Sequence, residues 1–518
     1  MEGMKAKYAY DVAVCGGGIA GISAALAAAR EGKKVILFEK QYILGGLGTA
    51  GLVTIYLPLC DGLGHQVSFG IAEELLKLSV KYGAEARYPE NWLDGKGERT
   101  KKDKRYEVQY NAQVFAILAE QLLLENGVDI LYGSYVVGVQ LEKKRIALLY
   151  VENKSGRTAY TVRSVVDATG DCDIAWFSNA PTNTFNQGNV LAAWYYYANE
   201  NGHHLQMLGA SDVPDNEKTG KEAKPLINRR FTGLEGKELS EMTCLSHRAT
   251  LEHWLRKREN DPSAVISTIA TIPQVRMTRK LVGEYTLSHN EEHVFFEDSI
   301  GMVSNWKKRG PVYEIPFRTL YSKAVENLIV AGRCTSVDET LWDVMRVIPC
   351  CAVTGQAAGT AAAMTDNFWA LDIAELQRKL TESGVVLHEK DLGGENVVCL
   401  ERQTVHEMKL NPIPFSMIKR GEKTIELRLF DEKRQCIKVG DIINFTNTSS
   451  GEKLSATVKK LHRFHTFEEL YQTLPLMQCG YTAENIGTAH HADMEQYYSP
   501  EEQRKYGVVG IELCVKSV

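Results

Sequence analysis

Three glycines and one carboxylate carry the first chemistry legible in this chain. Gly16, Gly18 and Gly21 fall at G-x-G-x-x-G spacing within "DVAVCGGGIAGISAALAAAR". That spacing permits a tight turn, close approach of backbone amides to a pyrophosphate, and close packing of a helix on a strand. Glu39 closes the next apolar run, "KVILFE", where an acidic side chain takes the ribose hydroxyls of an adenosine. Taken alone, these residues fit NAD and FAD equally. Other residues of suitable chemistry lie farther on: His65 in "DGLGHQV", Arg276 and Arg279 in "IPQVRMTRK", and Arg346. An arginine there would fix a carboxylate or polarise a carbonyl, and a histidine would move a proton. His203, His204, His247 and His253 read as ordinary polar positions.

Positioning these groups demands particular elements. The apolar run Val12 to Cys15 suits a buried parallel strand, and from Ile19 onward the pattern predicts a helix whose N-terminus faces the phosphates. Two distant segments repeat the design. "RSVVDATGDCDIA" (Arg163 to Ala175) runs an apolar strand into the small-residue turn Ala168-Thr169-Gly170, and "ENLIVAGRC" (Glu326 to Cys334) ends in Gly332 and Arg333. "RVIPCCAVTGQAAGTAAAM" (Arg346 to Met364) then predicts a helix so rich in Ala and Gly, Gly355 included, that another group can lie close to its backbone. Its N-terminus would stabilise negative charge developing on a flavin ring. FAD is long and gathers contacts from separated segments, so this arrangement favours FAD over NAD.

The chain has 518 residues, 44% hydrophobic and 24% charged, the composition of a globular protein of roughly two to four domains. A net charge of -5 argues against binding nucleic acid through bulk basicity but leaves room for a local patch. The first strand begins near residue 10, with no room ahead of it for a signal peptide, and no long apolar run suggests a membrane span. The 11 cysteines are scattered without a C-x-x-C, which fits reduced thiols in the cytoplasm and no metal site. The charged stretches "WLDGKGERTKKDKR" from Trp92 and "SDVPDNEKTGKEAK" from Ser211 read as surface loops. A linker is expected over 388–404.

The glycine turn, the loop "GGLGTAGLV", "DATGD", "IPQVRMTR", "YEIPFRTLYSKAVENLIVAGRC" and "RVIPCCAVTGQAAGTAAA" together resemble the FAD-dependent oxidoreductases with a glutathione-reductase-like FAD domain. The resemblance covers about residues 8 to 385. It implies an α/β, Rossmann-like FAD-binding domain over 1–387, with cofactor-binding pieces 8–175 and 321–366 and an α+β substrate-side insertion over about 176–320. It also implies that Gly16, Gly18 and Gly21 face the pyrophosphate, Glu39 the adenosine ribose and Val136 the adenine, with Lys40 among the cofactor-binding residues. Gly46, Thr49, Ala168, Thr169, Gly170, Gly332, Arg333 and Gly355 would line the rest of FAD. A disulfide reductase would need a second glycine fingerprint and a cysteine pair; neither is present, and Cys60 stands alone in "IYLPLCDG". Arg276, His65 and Arg346 remain as the catalytic candidates.

The tail is built differently. "FSMIKRGEKTIELRLFDEKRQCIKVGDIINF" (Phe415 to Phe445) predicts a short helix, then Gly421, an alternating strand, a polar turn and a second strand. It resembles an ASCH domain, a small PUA-like β-barrel, over about 405–518. The resemblance implies a cleft for RNA or a nucleoside-like ligand around Lys423, Thr424, Glu426 and Arg428. Hydrolases of that family show Lys-Thr-Ile-Thr here; Glu426 in place of the last threonine argues against that activity. Residues 404–518 carry 15 Lys and Arg against 15 Asp and Glu, so affinity for RNA would need a patch such as Lys409, Lys419, Arg420, Lys423 and Arg428.

The leading expectation is an FAD enzyme that oxidises or reduces a small organic metabolite, with the ASCH domain as an accessory. The alternatives are an RNA-modifying flavoprotein whose ASCH domain recruits RNA, and a flavin-binding sensor without turnover.

Overall fold

The computed structural model describes residues 6–82, 107–209, 225–392, 405–435, 437 and 441–515. The two charged stretches from Trp92 and Ser211, and residues 393–404 of the expected linker, lie outside the described residues. The chain divides into two compact units, Met1–Val397 and Val398–Val518.

The first unit centres on strand β1 (Tyr8–Cys15), which pairs in parallel with β2 (Val35–Phe38) on one side and β8 (Gly156–Asp167) on the other. Val12 to Cys15 and Val35 to Phe38 are all buried, as continuous apolar runs in the middle of a covered parallel sheet should be. A short strand β5 (Asp129–Leu131) pairs with β2. Two antiparallel strands, β6 (Tyr135–Glu142) and β7 (Arg145–Asn153), extend the far side. Strand β8 is shared. Its first half pairs with β7, and its last residues, Val165 to Asp167, pair with β16 (Leu328–Val330). The chain therefore leaves β1, β8 and β16 at one edge of one sheet.

Helix α1 (Ile19–Arg30) follows β1 directly. Helices α2 (Ile71–Val80), α3 (Ala112–Glu125) and the short α4 (Asp173–Phe177) surround the sheet. A two-residue pairing of β3 (Ile55–Tyr56) with β4 (Val108–Gln109) lies between α1 and α3 in the chain.

The expected insertion contains three small sheets. Strand β9 (Thr182–Thr184) pairs with β13 (Arg279–Leu281). A second sheet has the order β11 (Gly202–Gln206), β10 (Tyr195–Asn199), β12 (Val265–Ile269) and carries the long helix α5 (Gly236–Asn260). Strands β14 (Ser299–Ser304) and β15 (Val312–Pro316) form the third.

Two helices follow β16 and its turn: α6 (Glu339–Met345) and α7 (Ile348–Met364). All of α7 from Ile348 to Ala363 is buried. It lies directly on α1, because a Cβ at Gly355 would fall 2.3 Å from the Ala20 carbonyl oxygen and one at Gly359 2.1 Å from that of Ala24. An amphipathic helix α8 (Ile373–Glu382) follows. His388 and Glu389, which the sequence assigns to the linker, are bound to the first unit: His388 Nδ1 lies 2.9 Å from Glu314 Oε2, and the Glu389 amide donates to Glu314 Oε1 at 3.1 Å.

The second unit is a five-stranded sheet in the order β17 (Val405–Leu410), β19 (Ile442–Asn447), β20 (Lys453–Phe464), β21 (Val508–Val515), β18 (Ile425–Leu429). Helix α9 (Pro412–Lys419) precedes β18. Met408, Phe415, Ile443, Phe445 and Ile511 meet in its core.

Candidate functional site

The turn after β1 is held by contacts that leave no room for side chains. Gly16 has φ +106°, and a Cβ there would meet the Ala168 carbonyl oxygen at 2.5 Å; one on Gly21 would fall 1.8 Å from the Gly16 oxygen. At Gly18, by contrast, a Cβ would meet nothing within 4 Å. Gly18 is also the N-cap of α1 and brings no side-chain cap to it, so the first-turn amides face that open space with the positive end of the helix dipole.

Glu39 sits one residue past β2 and is buried. Its Oε2 accepts the Gly17 amide at 2.7 Å and its Oε1 the Gln41 amide at 2.7 Å. Burial raises its pKa, and these amide donors oppose the rise. Lys40 is exposed beside it, and Val136 lies half-buried on β6.

The following loop returns to the same place. Gly46 has φ +55°, and a Cβ there would lie 3.3 Å from Gly18 Cα. The Thr49 hydroxyl donates to the Leu44 carbonyl, and the Tyr110 hydroxyl donates to that of Gly48 at 2.7 Å. A Cβ on Gly48 would meet Ile19 and Ile348 side chains at 3.7 Å each, so this loop lies where α1 and α7 both begin.

The turn Ala168-Thr169-Gly170 is anchored by Asp167, which is fully buried and accepts from the Thr169 hydroxyl (2.7 Å) and from the Thr169, Ile174 and Ala175 amides. Gly170 (φ +79°) makes way for Arg333: a Cβ there would fall 2.4 Å from its Nη2. Arg333 in turn donates to the Val275 carbonyl at 2.7 Å and pairs with Asp171 at 3.3 Å, while Thr278 donates to the same Asp171 oxygen at 2.9 Å. Gly332 packs against Ala20 and Cys351 and donates its amide to Thr354. Gly355 lies on the face of α7 that meets α1.

The catalytic candidates do not share one environment. Arg276 is buried, with its guanidinium 5.0 Å over the Trp194 ring and 3.3 Å from Gln274 Oε1. Gln274 donates to the Gly51 carbonyl, which ties this segment to the loop beyond Thr49. Arg346 is bound through Nε to Asp343 (2.9 Å), and Lys307 holds the other Asp343 oxygen at 3.0 Å. Burial alone would raise the Asp343 pKa; Arg346 and Lys307 hold it below the usual carboxylate range. His65 is exposed, its Nδ1 2.8 Å from Asp61.

Residues that motif reading passed over complete the site. The Tyr196 hydroxyl lies 2.7 Å from Thr54 Oγ1 and links β10 to the loop beside β3. Nothing in the continuous aromatic run of "AAWYYYAN" singles it out from its neighbours Tyr195 and Tyr197. Asp167 and Asp171 are visible in "DATGDCD", but nothing in their spacing says which one anchors the turn and which one holds Arg333.

In the second unit Lys423 and Glu426 are buried. Lys423 Nζ donates to the Cys479 carbonyl at 2.6 Å and lies 3.3 Å from Glu426 Oε2, while Arg428 Nε lies 2.9 Å from Glu426 Oε1. Thr424 Oγ1 is 3.5 Å from Gln478 Oε1. Lys419 pairs with Glu452 and Arg420 with Glu422. Four of the five cations expected to make a basic patch thus have carboxylate partners within the unit.

Comparison with known proteins bears on both units. The family model described as FAD dependent oxidoreductase matches residues 11–192 and 192–380, and the ASCH domain model matches 408–516. A tRNA uridine 5-carboxymethylaminomethyl modification enzyme of Fusobacterium nucleatum is 30% identical over 153 residues, covering 27% of this chain and 24% of that one. A thioredoxin reductase of Ureaplasma parvum is 35% identical over 77 residues, covering 15% and 25%. The chain thus spans about a quarter of the length of these curated relatives. A protein of Pyrococcus furiosus solved in solution is 33% identical over 22% of this chain and 100% of its own, with a TM-score of 0.19. The glycine cradle, with its open space at Gly18, its uncapped helix and its buried carboxylate, is chemically suited to a dinucleotide, and the first model covers most of the chain. The chain belongs to the FAD-dependent oxidoreductase family, with FAD as its cofactor and an ASCH domain at its C-terminal end.

Proposed function

We propose that the chain oxidises or reduces a small organic metabolite. FAD, when bound, supplies the hydride chemistry, and the protein supplies binding, orientation and proton handling. In this reading Gly16, Gly18 and Gly21 accommodate the pyrophosphate at the N-terminus of α1. Glu39 and Lys40 serve the adenosine ribose, and Val136 the adenine. Gly46, Thr49, Ala168, Thr169, Gly170, Gly332 and Arg333 border the remainder, and Gly355 lets α7 approach α1 closely enough for its N-terminus to join them. Arg276, fixed over Trp194 and braced by Gln274, holds a polar end of the substrate. His65 moves a proton, and Arg346 contributes charge from its pairing with Asp343. The observation that carries this reading is the convergence of three chain segments far apart in sequence, after β1, β8 and β16, at one sheet edge.

The test is anaerobic reduction of the purified yellow protein, followed by flavin absorbance, with NADH, NADPH and pools of sugars, hydroxy acids and amines. Bleaching by a metabolite pool and not by nicotinamides supports a substrate dehydrogenase or oxidase. Failure of every metabolite pool either to bleach the oxidised flavin or to re-oxidise flavin reduced by NADPH would sink it.

A second reading, a flavin-dependent enzyme acting on RNA with the ASCH unit as its recruiter, is favoured by the similarity of part of the chain to a tRNA-modifying enzyme. It requires salt-dependent RNA affinity, which the pairing of Lys419, Arg420, Lys423 and Arg428 with carboxylates works against.

A further inference from the structure

After α8 the chain lies against strands β14 and β15 as a strap, residues 385–392. Val385 is buried, and Val386 and Leu392 pack on a small core of Val67, Met302 and Val312. The Ser299 hydroxyl donates to the Leu387 carbonyl at 2.6 Å. A Cβ on Gly70 would fall 3.0 Å from Val385 Cγ2, so the strap also touches the turn before α2. Val67 and Gly70 come two and five residues after His65. The strap therefore backs the chain just beyond His65.

Two interlocked pairs of histidine and glutamate hold its far end. Glu314 of β15 is buried; it accepts the Phe296 and Glu389 amides at 2.8 and 3.1 Å, and His388 Nδ1 lies 2.9 Å from its Oε2. In the reverse sense His293, from the chain before β14, sets its Nδ1 3.0 Å from both oxygens of Glu389. His388 stacks on the Phe295 ring with 4.5 Å between centroids. His293 has φ +60°, uncommon for a residue with a side chain, and its amide donates to the Val312 carbonyl at 2.7 Å. Such a conformation persists where the surroundings over-determine it. Three carboxylates face His293: Glu389 on the strap, Glu292 on its own loop, and Asp61, which also lies 2.8 Å from His65 Nδ1. Lys390, the cation beside Glu389, sits 4.6 Å over the Phe295 ring. The bond to Glu389, opposed by burial and aided by the three negative charges, raises the His293 pKa above its ordinary 6.5.

We propose that His293 is a pH-sensitive latch on this strap: protonated, it holds Glu389 and keeps residues 388–392 down, and deprotonated, it gives up the charge-assisted bond, so that the strap end opens and loosens the backing of the His65 loop. The direction follows from linkage. The folded protein binds this proton more tightly than the open chain does, so the stabilisation is whole below pH 6.5 and is lost as pH rises through the higher value of the closed strap. Histidine suits such a device because small shifts move its charge change across neutral pH. Control of turnover by the latch rests on the reading of His65 as the group that moves a proton; the latch itself does not.

The experiment is amide hydrogen exchange on the FAD-loaded full chain at about pH 6 and about pH 9, on either side of the histidine range, with the intrinsic pH dependence of exchange removed. The reporters are the Glu389, Asp391 and Leu392 amides, which donate to Glu314 Oε1 and to the His388 and Glu389 carbonyls. Their opening is expected to rise roughly tenfold between the two conditions for each unit by which the closed strap raises the His293 pKa. His293→Asn removes the charge while keeping a residue that tolerates positive φ, and should open equally at both values, as should Glu389→Gln. Unchanged protection of β1 separates release of the strap from general unfolding. The Leu63, Gly64 and His65 amides, which donate to Asp61, should loosen together with the strap. Equal opening of the parent protein at both values overturns the latch, as does a pH dependence that survives His293→Asn, and a His65 loop indifferent to strap opening overturns the coupling. Full turnover in His65→Gln with the exchange pattern intact would instead overturn the reading of His65 and leave the latch standing.

Discussion

Glu39 and Gly17 are joined by a 2.7 Å hydrogen bond from the glycine amide to a buried carboxylate oxygen, so the end of β2 fixes the turn that follows β1. The second oxygen of Glu39 is spent on Gln41. Glu39→Gln would set an amide N–H₂ against one of these two N–H donors, at a cost of about 1–3 kcal/mol for the donor left unpaired. We expect a lower melting temperature for the apoprotein and roughly tenfold or greater loss of FAD affinity, read by fluorescence titration. Unchanged affinity would remove Glu39 from the cofactor site.

The crossing of α1 and α7 predicts the effect of single methyl groups. Gly355→Ala and Gly359→Ala would place a Cβ within 2.3 Å and 2.1 Å of α1 carbonyl oxygens, and forced overpacking of this kind costs about 1–3 kcal/mol. Both variants should melt earlier. Gly355→Ala should also lose flavin on gel filtration, because it lies nearer the N-terminus of α7. Equal flavin retention in both would show that the crossing serves packing alone.

A pH-dependent contribution is expected from Asp173. Burial, reinforced by Asp171 and Asp167, pushes its carboxyl from 3.8 up to about 6, against the pull of Lys40 and Arg279. The folded protein therefore holds this proton more tightly than the unfolded chain does. The resulting stabilisation is whole at pH below 3.8 and is lost as pH rises through about 6. Asp173→Asn, which keeps a neutral side chain at every pH, should melt higher than the parent protein above about pH 7, with the gap closing on acidification. A gap independent of pH would assign the effect to something other than this proton.

In the ASCH unit, removing one cation should matter far more than removing another. Lys423→Met leaves Glu426 buried with Arg428 as its remaining ion-pair partner, and the lost charge-assisted bond costs about 1.5–3 kcal/mol. Lys419→Ala breaks only an exposed pair with Glu452 and should cost about 0–1 kcal/mol. Thermal unfolding of the full chain, followed at the ASCH transition, distinguishes them; comparable shifts would contradict the burial difference between the two sites.

The glycine turn, α1, β2 and the strand-then-turn design at Asp167 and at Val330 were legible because each is local: an apolar run, a glycine at a fixed offset, a helix pattern. So were α9 and the strands after Lys423 and Gly440. The partners of the arginines were not. Arg346 is three residues from Asp343, but nothing local says that Lys307 closes the cluster from another loop. Arg333 reaches Val275 and Asp171 across 58 and 162 residues, and Tyr196 reaches Thr54 across 142. Such contacts depend on how separate sheets stack, and periodicity in one segment holds no record of another. The basic patch expected in the tail is neutralised mostly by near neighbours, Glu422 beside Arg420 and Glu426 between Lys423 and Arg428, and only Lys419 takes a remote partner, Glu452.

The lodging of α7 against α1 also sets a schedule for the chain as it leaves the ribosome. Residues 16–21 emerge early, but the helix that backs them begins at Ile348, more than 300 residues later in the sequence. Until then α1 has no partner on that face, and its small residues stay in water. Contacts of such long sequence separation form late because the intervening chain must first be ordered. A nascent chain stopped short of α7 holds the pyrophosphate turn without its backing, so the cradle is completed near the end of synthesis of the first unit.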